Sequence, residues 1–316
     1  DVQRFEIEGE ENTLAFERNA AGEWILPDYD EYPADLFDVN NFLDRLSGIR
    51  SGRIIAQNES SHRTLGVSPD EFERQVTVDL ADADDFTLFI GTSAGANATH
   101  MRRQGEDIVY LVGGLGAVDV RTNVTAWIDP LYFEVTQENV TSMTLENENG
   151  TFEFERDAEG AWTFTGLEDD ETFNPARVQT LLSQITSVRM QEPLSRDEQD
   201  EYGIDDPAAT ITLTAEIPVE AETPDEPSPE ATAAPEPEEI ETETQEFTLV
   251  IGAELDEGRV LKAEDAEYYV LWSATNANNF VNATRDEFLS APEAPEDATS
   301  PAIPPLQVPD LPPDDE

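Results

Sequence analysis

The residue pattern with the clearest bearing on chemistry is Gly-Thr-Ser-Ala-Gly at residues 91–95. A nucleophile elbow has this Gly-x-Ser-x-Gly pattern at the end of a strand, with a helix directly after it and a base histidine later in the chain. Ser93 follows a strand-like segment, but residues 96–99 do not read as a helix, and the last histidine, His100, lies seven residues on. The matching position of an internal repeat, residues 252–255, has no serine. The pattern therefore indicates a hairpin turn, and no catalytic residue is predicted from it.

Histidine and glycine offer little for a metal or cofactor site. The chain has two histidines, His62 and His100, and no cysteine. Because a zinc site uses several nitrogen or sulfur ligands at short spacing, neither histidine suggests one, and we expect both to be polar surface residues. The Gly-Gly-Leu-Gly sequence at residues 113–116 lacks the third glycine and the following helix of a dinucleotide fingerprint, so we predict a turn. No cofactor is predicted from these residues.

Carboxylates are the abundant metal ligands in this chain, and as hard oxygen donors they favour Ca²⁺. A calcium site needs about six to eight converging oxygens. The candidate ligands lie in two acidic runs and are Asp82, Asp84, Asp85, Asp169 and Asp170. Neither run has the spacing of a calcium-binding loop, and chance clusters are expected among 71 acidic residues. Solvated loops are the favoured interpretation, with a Ca²⁺ site as the alternative.

A pair of carboxylates could also act as acid and base in hydrolysis. Such a pair has to flank a substrate cleft at a set separation, which a sequence does not specify. Trp24 and Trp162, the candidate sugar platforms, occupy the same position of the internal repeat, so we expect them in the core. A hydrolase that uses cleft carboxylates therefore stays an alternative without assigned residues.

The charge of the chain restricts its partners. The 71 Asp and Glu residues face 17 Lys and Arg residues, which gives a formal net charge of −54. Such a surface repels nucleic-acid phosphates and anionic lipid headgroups, while it attracts cations and cationic partners. Residues 219–246 and 291–316 carry eleven and seven of the acidic residues and no basic one. The remainder is still acidic, which indicates either adaptation to high salt or a surface that binds cations or a partner.

The elements that would position these residues occur twice. The sequence Thr-Leu-Ala-Phe-Glu-Arg at residues 13–18, followed by Trp24, returns as Thr-Phe-Glu-Phe-Glu-Arg at residues 151–156, followed by Trp162. Alternation of apolar and polar residues predicts an antiparallel meander that ends at each tryptophan. An internal repeat of this kind sets the architecture of the whole chain.

Each meander leads into an amphipathic helix. Apolar residues spaced three and four apart predict helices over residues 36–49 and 178–188, the second with Asn174 as N-cap and Pro175 at its first position. Further strands and a short closing helical turn follow in each copy. They are predicted at 76–80, 86–91, 108–112 and 127–131 in the first copy, and at 210–214, 247–252, 267–271 and 285–289 in the second.

These signals predict an α+β protein of two tandem homologous modules, each an antiparallel sheet packed by one main amphipathic helix. Module one covers residues 1–136 and module two residues 137–290. Residues 218–246 are an acidic, proline-rich insertion in module two, and residues 291–316 are a tail of the same composition. Both contain too little apolar surface to offset the entropy of ordering, so both are predicted to be disordered.

The order of these signals resembles the bacterial family catalogued as domain of unknown function 4340, over about residues 2–290 apart from the insertion. The resemblance implies an exported domain, usually tethered by an N-terminal transmembrane helix and often found beside ABC-type export or gliding-type transport systems. It brings no catalytic residues. The matching positions are Trp24, Gly66, Pro69, Gly91, Asp129, Trp162, Gly203, Pro207, Gly252 and Asp286.

Location and function follow as expectations. The sequence contains no run of 18 apolar residues and starts at Asp1 without Met, which suggests that a signal or anchor segment is missing. We expect a non-catalytic binding or scaffold protein outside the cytoplasm, at the cell envelope, with a protein partner. The alternatives are the cell-surface hydrolase and an acidic surface-layer or filament subunit that assembles with divalent cations.

Overall fold

The computed structural model describes residues 1–50, 52–95, 98–219, 242–256 and 258–290. In these residues most of the regular structure is antiparallel β-sheet, and three α-helices pack against it. The α+β class predicted from the sequence is therefore confirmed. The predicted disordered tail, 291–316, and residues 220–241 of the insertion lie outside the described residues.

The first half of the chain forms a nine-stranded sheet. Apolar residues alternate along its strands, so that every second side chain points to the same face. The elements are β1 (Val2–Glu8), β2 (Thr13–Arg18), β3 (Trp24–Leu26), β4 (Tyr32–Pro33), α1 (Leu36–Ser47), β5 (Arg53–Ala56), β6 (Val67–Ser68), β7 (Glu71–Phe72), β8 (Arg74–Leu80), β9 (Phe86–Ser93), β10 (Ala98–Arg103) and β11 (Val109–Gly113). The order in the sheet is β4-β3-β2-β1-β8-β9-β10-β11-β5, and β6 pairs with β7 separately.

The second half forms an eight-stranded sheet. Its elements are β12 (Leu131–Glu134), β13 (Val140–Asn147), β14 (Gly150–Arg156), β15 (Trp162–Phe164), α2 (Pro175–Ile185), β16 (Ser187–Arg189), β17 (Glu192–Pro193), β18 (Ala209–Pro218), β19 (Thr242–Leu255), β20 (Gly258–Ala263), β21 (Val270–Ser273) and α3 (Ala274–Val281). The order in the sheet is β15-β14-β13-β18-β19-β20-β21-β17, while β12 and β16 form a two-stranded ribbon.

The two sheets share one strand order. Apart from the outer strand β4, the order β3-β2-β1-β8-β9-β10-β11-β5 corresponds strand by strand to β15-β14-β13-β18-β19-β20-β21-β17. The registers agree in detail at the hairpins β9–β10 and β19–β20. Each hairpin has an irregularity at which two residues of the first strand face one residue of the second.

Helices α1 and α2 each cover one face of their sheet. The Asp35 carboxylate accepts a hydrogen bond from the Phe37 backbone N–H at 2.8 Å, and the Asn174 side chain accepts one from Ala176 at 3.2 Å. Each cap satisfies a backbone donor that the first helical turn leaves without a partner. Asn174 as N-cap and Pro175 at the first helical position are as predicted. The buried faces comprise Val39, Phe42 and Leu46 in α1, and Val178, Leu181, Leu182 and Ile185 in α2.

An aromatic residue near the end of each half closes its core. The Trp127 carbonyl accepts from the Asp35 backbone N–H at 2.6 Å, and the Phe288 carbonyl accepts from Asn174 at 2.8 Å. Both rings are at most 1 % exposed. Each therefore ties the start of its helix to the end of its half. The neighbouring aromatic rings are Phe5, Phe16 and Phe42 around Trp127, and Phe152, Phe154 and Phe164 around Phe288.

The predicted ends of both helices are wrong. Helix α1 ends at Ser47, where the Gly48 N–H donates to the Asp44 carbonyl, so the end predicted at residue 49 is too late. Helix α2 ends at Ile185, and Val188 lies in strand β16. Val188 continues the spacing of three that marks the helix, but its buried side chain serves a strand equally well.

Three other predicted boundaries also need correction. The closing turn predicted at 127–131 comes earlier, as a 3-10 turn at Val124–Ala126, and the strand predicted from residue 267 begins at Val270. Paired strands also extend into the insertion 218–246, because β18 runs to Pro218 and β19 starts at Thr242. At the start of β19 Thr242 and Thr244 alternate with Glu243 and Gln245, and threonine, being β-branched, favours a strand even where the surface is polar.

Glycine permits a close approach of backbones in both sheets. Gly66 and Gly203 have φ of 66° and 63°, in the left-handed region that other residues resist. A Cβ added to Gly91 would lie 2.1 Å from the carbonyl oxygen of the residue before Gly66. At Gly252 the distance to the corresponding oxygen before Gly203 would be 2.0 Å. The segments that contain Gly66 and Gly203 therefore lie directly against strands β9 and β19.

The Gly91→Ala variant should be destabilised, because its methyl group would clash with the carbonyl oxygen of Leu65. A backbone oxygen cannot move aside as the end of a flexible side chain can. We expect the free energy of unfolding to fall by about 2 kcal/mol or more, measured by chemical denaturation. The control is Gly116→Ala, where φ is −123° and the nearest atom would lie 3.8 Å from the new Cβ. That variant should stay within about 0.5 kcal/mol of the parent. Equal losses in both variants would contradict the close approach.

Candidate functional site

A cavity of about 870 Å³ opens between the β9–β10 hairpin and the loop after β11. The two glycine-rich segments of the sequence analysis, 91–95 and 113–116, both contribute to its wall. Backbone groups and small side chains therefore form most of the surface. The charged side chains that line it are Arg45, Glu73 and Asp119. Two motifs that looked unrelated in the sequence thus meet at one site.

Ser93 does not lie in a nucleophile elbow. Strand β9 continues through Ser93 and the chain returns as β10, so a strand follows the motif where an elbow needs a helix. The exposed Ser93 hydroxyl donates to the Gly95 carbonyl at 3.3 Å. The hydroxyl that meets a histidine belongs to Thr92, whose Oγ1 lies 3.0 Å from Nδ1 of the half-buried His100. The predicted hairpin is confirmed, and Thr92 is a residue that the sequence reasoning missed.

An ion pair holds the loop after β11. Arg45 of α1 lies 2.9 Å from the Asp119 carboxylate, and its Nη2 donates to the Gly114 carbonyl at 2.7 Å. Asp119 also accepts from the Gly116 backbone N–H at 2.8 Å. Arg45 and Asp119 thus neutralise each other. Within the described residues Glu73 takes part in no ion pair, so its carboxylate sets the charge of the cavity.

The corresponding place in the second half is filled by Arg259 of β20. Its Nε donates to the Asn278 side chain at 2.8 Å, its Nη1 to the Gly252 carbonyl at 3.2 Å, and its Nη2 to Glu254 at 3.4 Å. Asn278 belongs to α3, which follows β21 where a glycine-rich loop follows β11. The guanidinium group therefore links hairpin, strand and helix in the second half.

A cationic side chain lies at the same register position of each hairpin, buried in the first and half-buried in the second. Arg102 pairs with Phe89 and Lys262 with Val250. Arg102 Nη1 donates to the carbonyls of the first and fourth residues after it, at 3.4 and 3.1 Å. Lys262 donates to the corresponding two carbonyls. Burial lowers the pKa of both side chains, which marks them as structural donors held by the turn.

His62 is not the surface residue that the sequence predicted. Its side chain is 4 % exposed, and Nε2 lies 2.9 Å from the Asp107 carbonyl, to which it donates. The segment that carries it folds across the outer face of β9, β10 and β11, where Val67, Phe89 and Val109 form a small apolar cluster. An isolated histidine gives no periodic signal of burial, so sequence reasoning missed this position.

The candidate calcium ligands lie on the surface. Asp82, Asp84 and Asp85 follow β8, and Asp85 accepts from the Leu80 backbone N–H at 3.0 Å. Asp169 and Asp170 are exposed in the loop before α2. In the described part of the chain, the structure brings together no group of three or more potential ligands.

The two halves meet at the loop after β3. Asp30 and Glu31 have φ of 52° and 60°, a left-handed conformation that costs roughly 1–2 kcal/mol per residue for side chains other than glycine. The Asp30 carboxylate accepts from the Arg196 backbone N–H at 2.7 Å, and Glu31 lies 3.8 Å from the Arg196 guanidinium. Tyr32 packs edge-on against Tyr268 with ring centroids 4.6 Å apart. Contacts across the junction therefore hold the strained loop.

Burial at this junction changes several pKa values. It raises the pKa of Tyr29 to about 12, to which the nearby Glu192 and Asp28 carboxylates add. Burial also raises the pKa of the Glu192 carboxyl, and the Asp256 carboxylate contributes in the same direction. Ionised Glu192 is thus a cost to the folded chain, whereas Tyr29 is neutral at physiological pH.

Residues 24–216 match the family model described as Domain of unknown function (DUF4340). The chain belongs to the DUF4340 family. The resemblance stated from the order of sequence signals is confirmed, over a shorter range than the predicted 2–290. The cavity of this DUF4340 chain lies wholly inside the matched range, whereas Arg259 and α3 lie beyond it. Comparison with curated proteins and with solved structures gives no match.

The longest described helix of the DUF4340 chain, α1, has 12 residues. Among the described residues, no helix combines the length and the apolar character needed to cross a bilayer.

Replacing Glu192 with glutamine should stabilise the DUF4340 chain at neutral pH. The folded-state pKa of Glu192 lies above its unfolded value, so the folded chain loses stability as pH rises and the carboxyl ionises. Glu192→Gln avoids this loss, and we expect its thermal midpoint to exceed that of the parent at pH 7. The gain should shrink as pH falls and disappear near pH 4, where both proteins are neutral at this position.

The control for this comparison is Glu153→Gln, which removes one carboxylate from the exposed face of β14. It reports the general effect of lowering the net charge. A gain for Glu192→Gln that is equal at pH 4 and pH 8, or equal to that of the control at every pH, would contradict the junction account.

The DUF4340 chain should respond to salt through general screening. Its candidate calcium ligands are exposed, so NaCl and CaCl₂ at equal ionic strength should raise the thermal midpoint to a similar extent. A rise that saturates at submillimolar CaCl₂ and is absent with NaCl would instead establish a calcium site. The Asp82→Asn variant should then be the first to lose that rise.

Proposed function

We propose that this DUF4340 chain is a non-catalytic, exported binding or scaffold protein of the bacterial cell envelope, tethered to the membrane through its N-terminal side. The observation that carries the binding role is the cavity beside the β9–β10 hairpin. Its wall is built from backbone groups and small side chains, and its Arg45–Asp119 ion pair is committed to holding the loop. Such a surface suits recognition of a partner more than acid–base chemistry.

We further propose that the chain consists of two tandem homologous modules, residues 1–136 and 137–290. The repeated sequence at 13–18 and 151–156 supports this division, and so do the shared strand order and hairpin register. The equivalent roles of Trp127 and Phe288 add a tertiary contact that recurs in both halves. Duplication supplies one framework twice, so that one copy can keep a closed hairpin while the other presents a cavity.

The proposed location rests on the family and on charge. The resemblance to DUF4340 implies an exported, tethered domain that accompanies ABC-type transport systems. A net charge of −54 opposes direct adsorption to anionic headgroups, so a separate tether is the physically reasonable means of attachment. The partner we propose is an envelope protein with a cationic surface.

The alternative of a hydrolase would require free carboxylates in a cleft between the halves. Asp30 and Glu31 stand at that junction, but both already contact Arg196. The alternative of a cation-dependent surface-layer or filament subunit draws only on the acidic composition. Neither alternative has an observation of its own in this structure, so both serve as outcomes of the test.

Cross-linking in the producing bacterium tests the proposed function. We expect the tagged full-length chain to fractionate with the envelope and to cross-link reproducibly to one envelope protein, at a transport complex. Recovery in the cytoplasmic fraction, or from the envelope without a reproducible partner, would contradict the proposal. Large homopolymers that dissolve on removal of Ca²⁺ would favour the filament subunit. Hydrolysis of a surface polymer that is abolished by one carboxylate substitution would favour the enzyme.

A further inference from the structure

The register of the two hairpins relates the cavity to a filled site in the same chain. Ser93 pairs with Thr99 in β9–β10, and Glu254 pairs with Arg259 in β19–β20. In both hairpins two residues of the first strand and one of the second separate this pair from the next regular pair. Thr99 therefore holds the position of Arg259, and Ser93 holds that of Glu254.

Thr99 reproduces one of the three hydrogen bonds of Arg259. Its Oγ1 donates to the Gly91 carbonyl at 2.9 Å, as Arg259 Nη1 donates to the Gly252 carbonyl at 3.2 Å. A threonine side chain is far shorter than an arginine, so the space of the guanidinium group is left open. The cavity of about 870 Å³ is lined by Gly91, Ser93 and Thr99, which hold the register positions of Gly252, Glu254 and Arg259.

The first half also carries a carboxylate in the wall of the cavity that has no counterpart in the second half. Glu73 lies directly before Arg74, which pairs with Ile90. By the same register, the second sheet carries Ala208 at the position of Glu73. The first half thus has Glu73 and Arg74 where the second half has Ala208 and Ala209, and the Arg74 guanidinium is engaged by the Val120 carbonyl, to which Nε donates at 2.9 Å. Arg45 and Asp119 form an ion pair with each other, and among the described residues the Glu73 carboxylate forms no ion pair.

We propose that the cavity binds the guanidinium group of an arginine side chain presented by a protein partner, an assignment that rests on the binding role proposed above. The guanidinium group would lie where Arg259 lies in the second half, against the β9 carbonyls and the Glu73 carboxylate. A charged donor facing a carboxylate forms the stronger class of hydrogen bond. The methylene stem would cross Ala117 and Val118, the latter 87 % exposed.

A pair of peptides tests this assignment on the purified chain. The probe is a blocked tripeptide with a central arginine, and its control contains citrulline, which keeps the planar shape but lacks the charge. At low ionic strength, calorimetric titration should show the arginine peptide binding at least about tenfold more tightly than the citrulline peptide. A lysine peptide should fall between them, because an ammonium group cannot form the planar fork.

Two kinds of variant locate the binding. Glu73→Gln should weaken the arginine peptide at least about fivefold. Glu153→Gln removes the same charge from an exposed strand of the other sheet and should change binding less than twofold. The double variant Thr99→Arg, Ser93→Glu places the residues of the second half in the first, and it should abolish binding. Should the double variant fail to fold, the comparison of Glu73→Gln with Glu153→Gln decides alone.

Equal affinity for the arginine and citrulline peptides would overturn the proposal. Equal weakening by Glu73→Gln and Glu153→Gln would also overturn it, because the attraction would then be to the acidic surface in general. The assay needs neither an envelope nor a partner. A negative result together with a reproducible cross-linked partner would therefore reject the arginine site and leave the proposed function standing.

Discussion

Closure of each half by one aromatic residue is the contact on which the rest of the structure depends. Trp127 and Phe288 come late in their halves, yet their carbonyls accept from the residues that cap α1 and α2. Their rings fill the space between helix and sheet, where an aromatic side chain buries roughly 150–250 Å². One residue thus fixes the helix start, the sheet face and the end of the chain segment together. The segments between β11 or β21 and this closure differ between the halves, because the first is a glycine-rich loop and the second contains α3.

The difference between these two segments explains the position of the cavity. Between β21 and Phe288 the chain forms α3, and Arg259 bonds it to the hairpin. Between β11 and Trp127 it forms a glycine-rich loop, which Arg45 holds from α1. Apart from β4 the strand order is the same on both sides, so the difference lies in the segment that follows β11 or β21 and in the side chains of the hairpins. One strand order thus carries a closed hairpin in the second half and an open one in the first.

The sequence was sufficient for elements whose periodicity is strong. The meanders that end at Trp24 and Trp162 and the helices over α1 and α2 were predicted, because alternation and three-to-four spacing are local signals. Helix α3 was missed, since its sequence Ala-Thr-Asn-Ala-Asn-Asn-Phe-Val contains three asparagines of low helix propensity and is held by tertiary packing. The short edge strands β4, β5 and β17 were missed because two to four residues show no period.

The candidate site was predictable only in pieces. Both glycine-rich segments are recognisable in the sequence as separate motifs, but their spacing along the chain does not show that they line the same cavity. The roles of Thr99, Glu73 and Arg259 depend on strand register, which only pairing reveals. Burial of His62 and Arg102 likewise depends on a segment that folds over the sheet from elsewhere in the chain. Long-range pairing carries this information, and local sequence does not.

Backbone amide NMR of the isotope-labelled chain, titrated with the blocked arginine peptide, tests the central claim most directly. The account predicts saturable chemical-shift changes confined to the amides of residues 91–95, 98–99 and 113–119, with the corresponding amides around Gly252 and Arg259 unchanged. Changes of equal size at both hairpins, or spread over the acidic surface without saturation, would contradict a site that exists in one half alone.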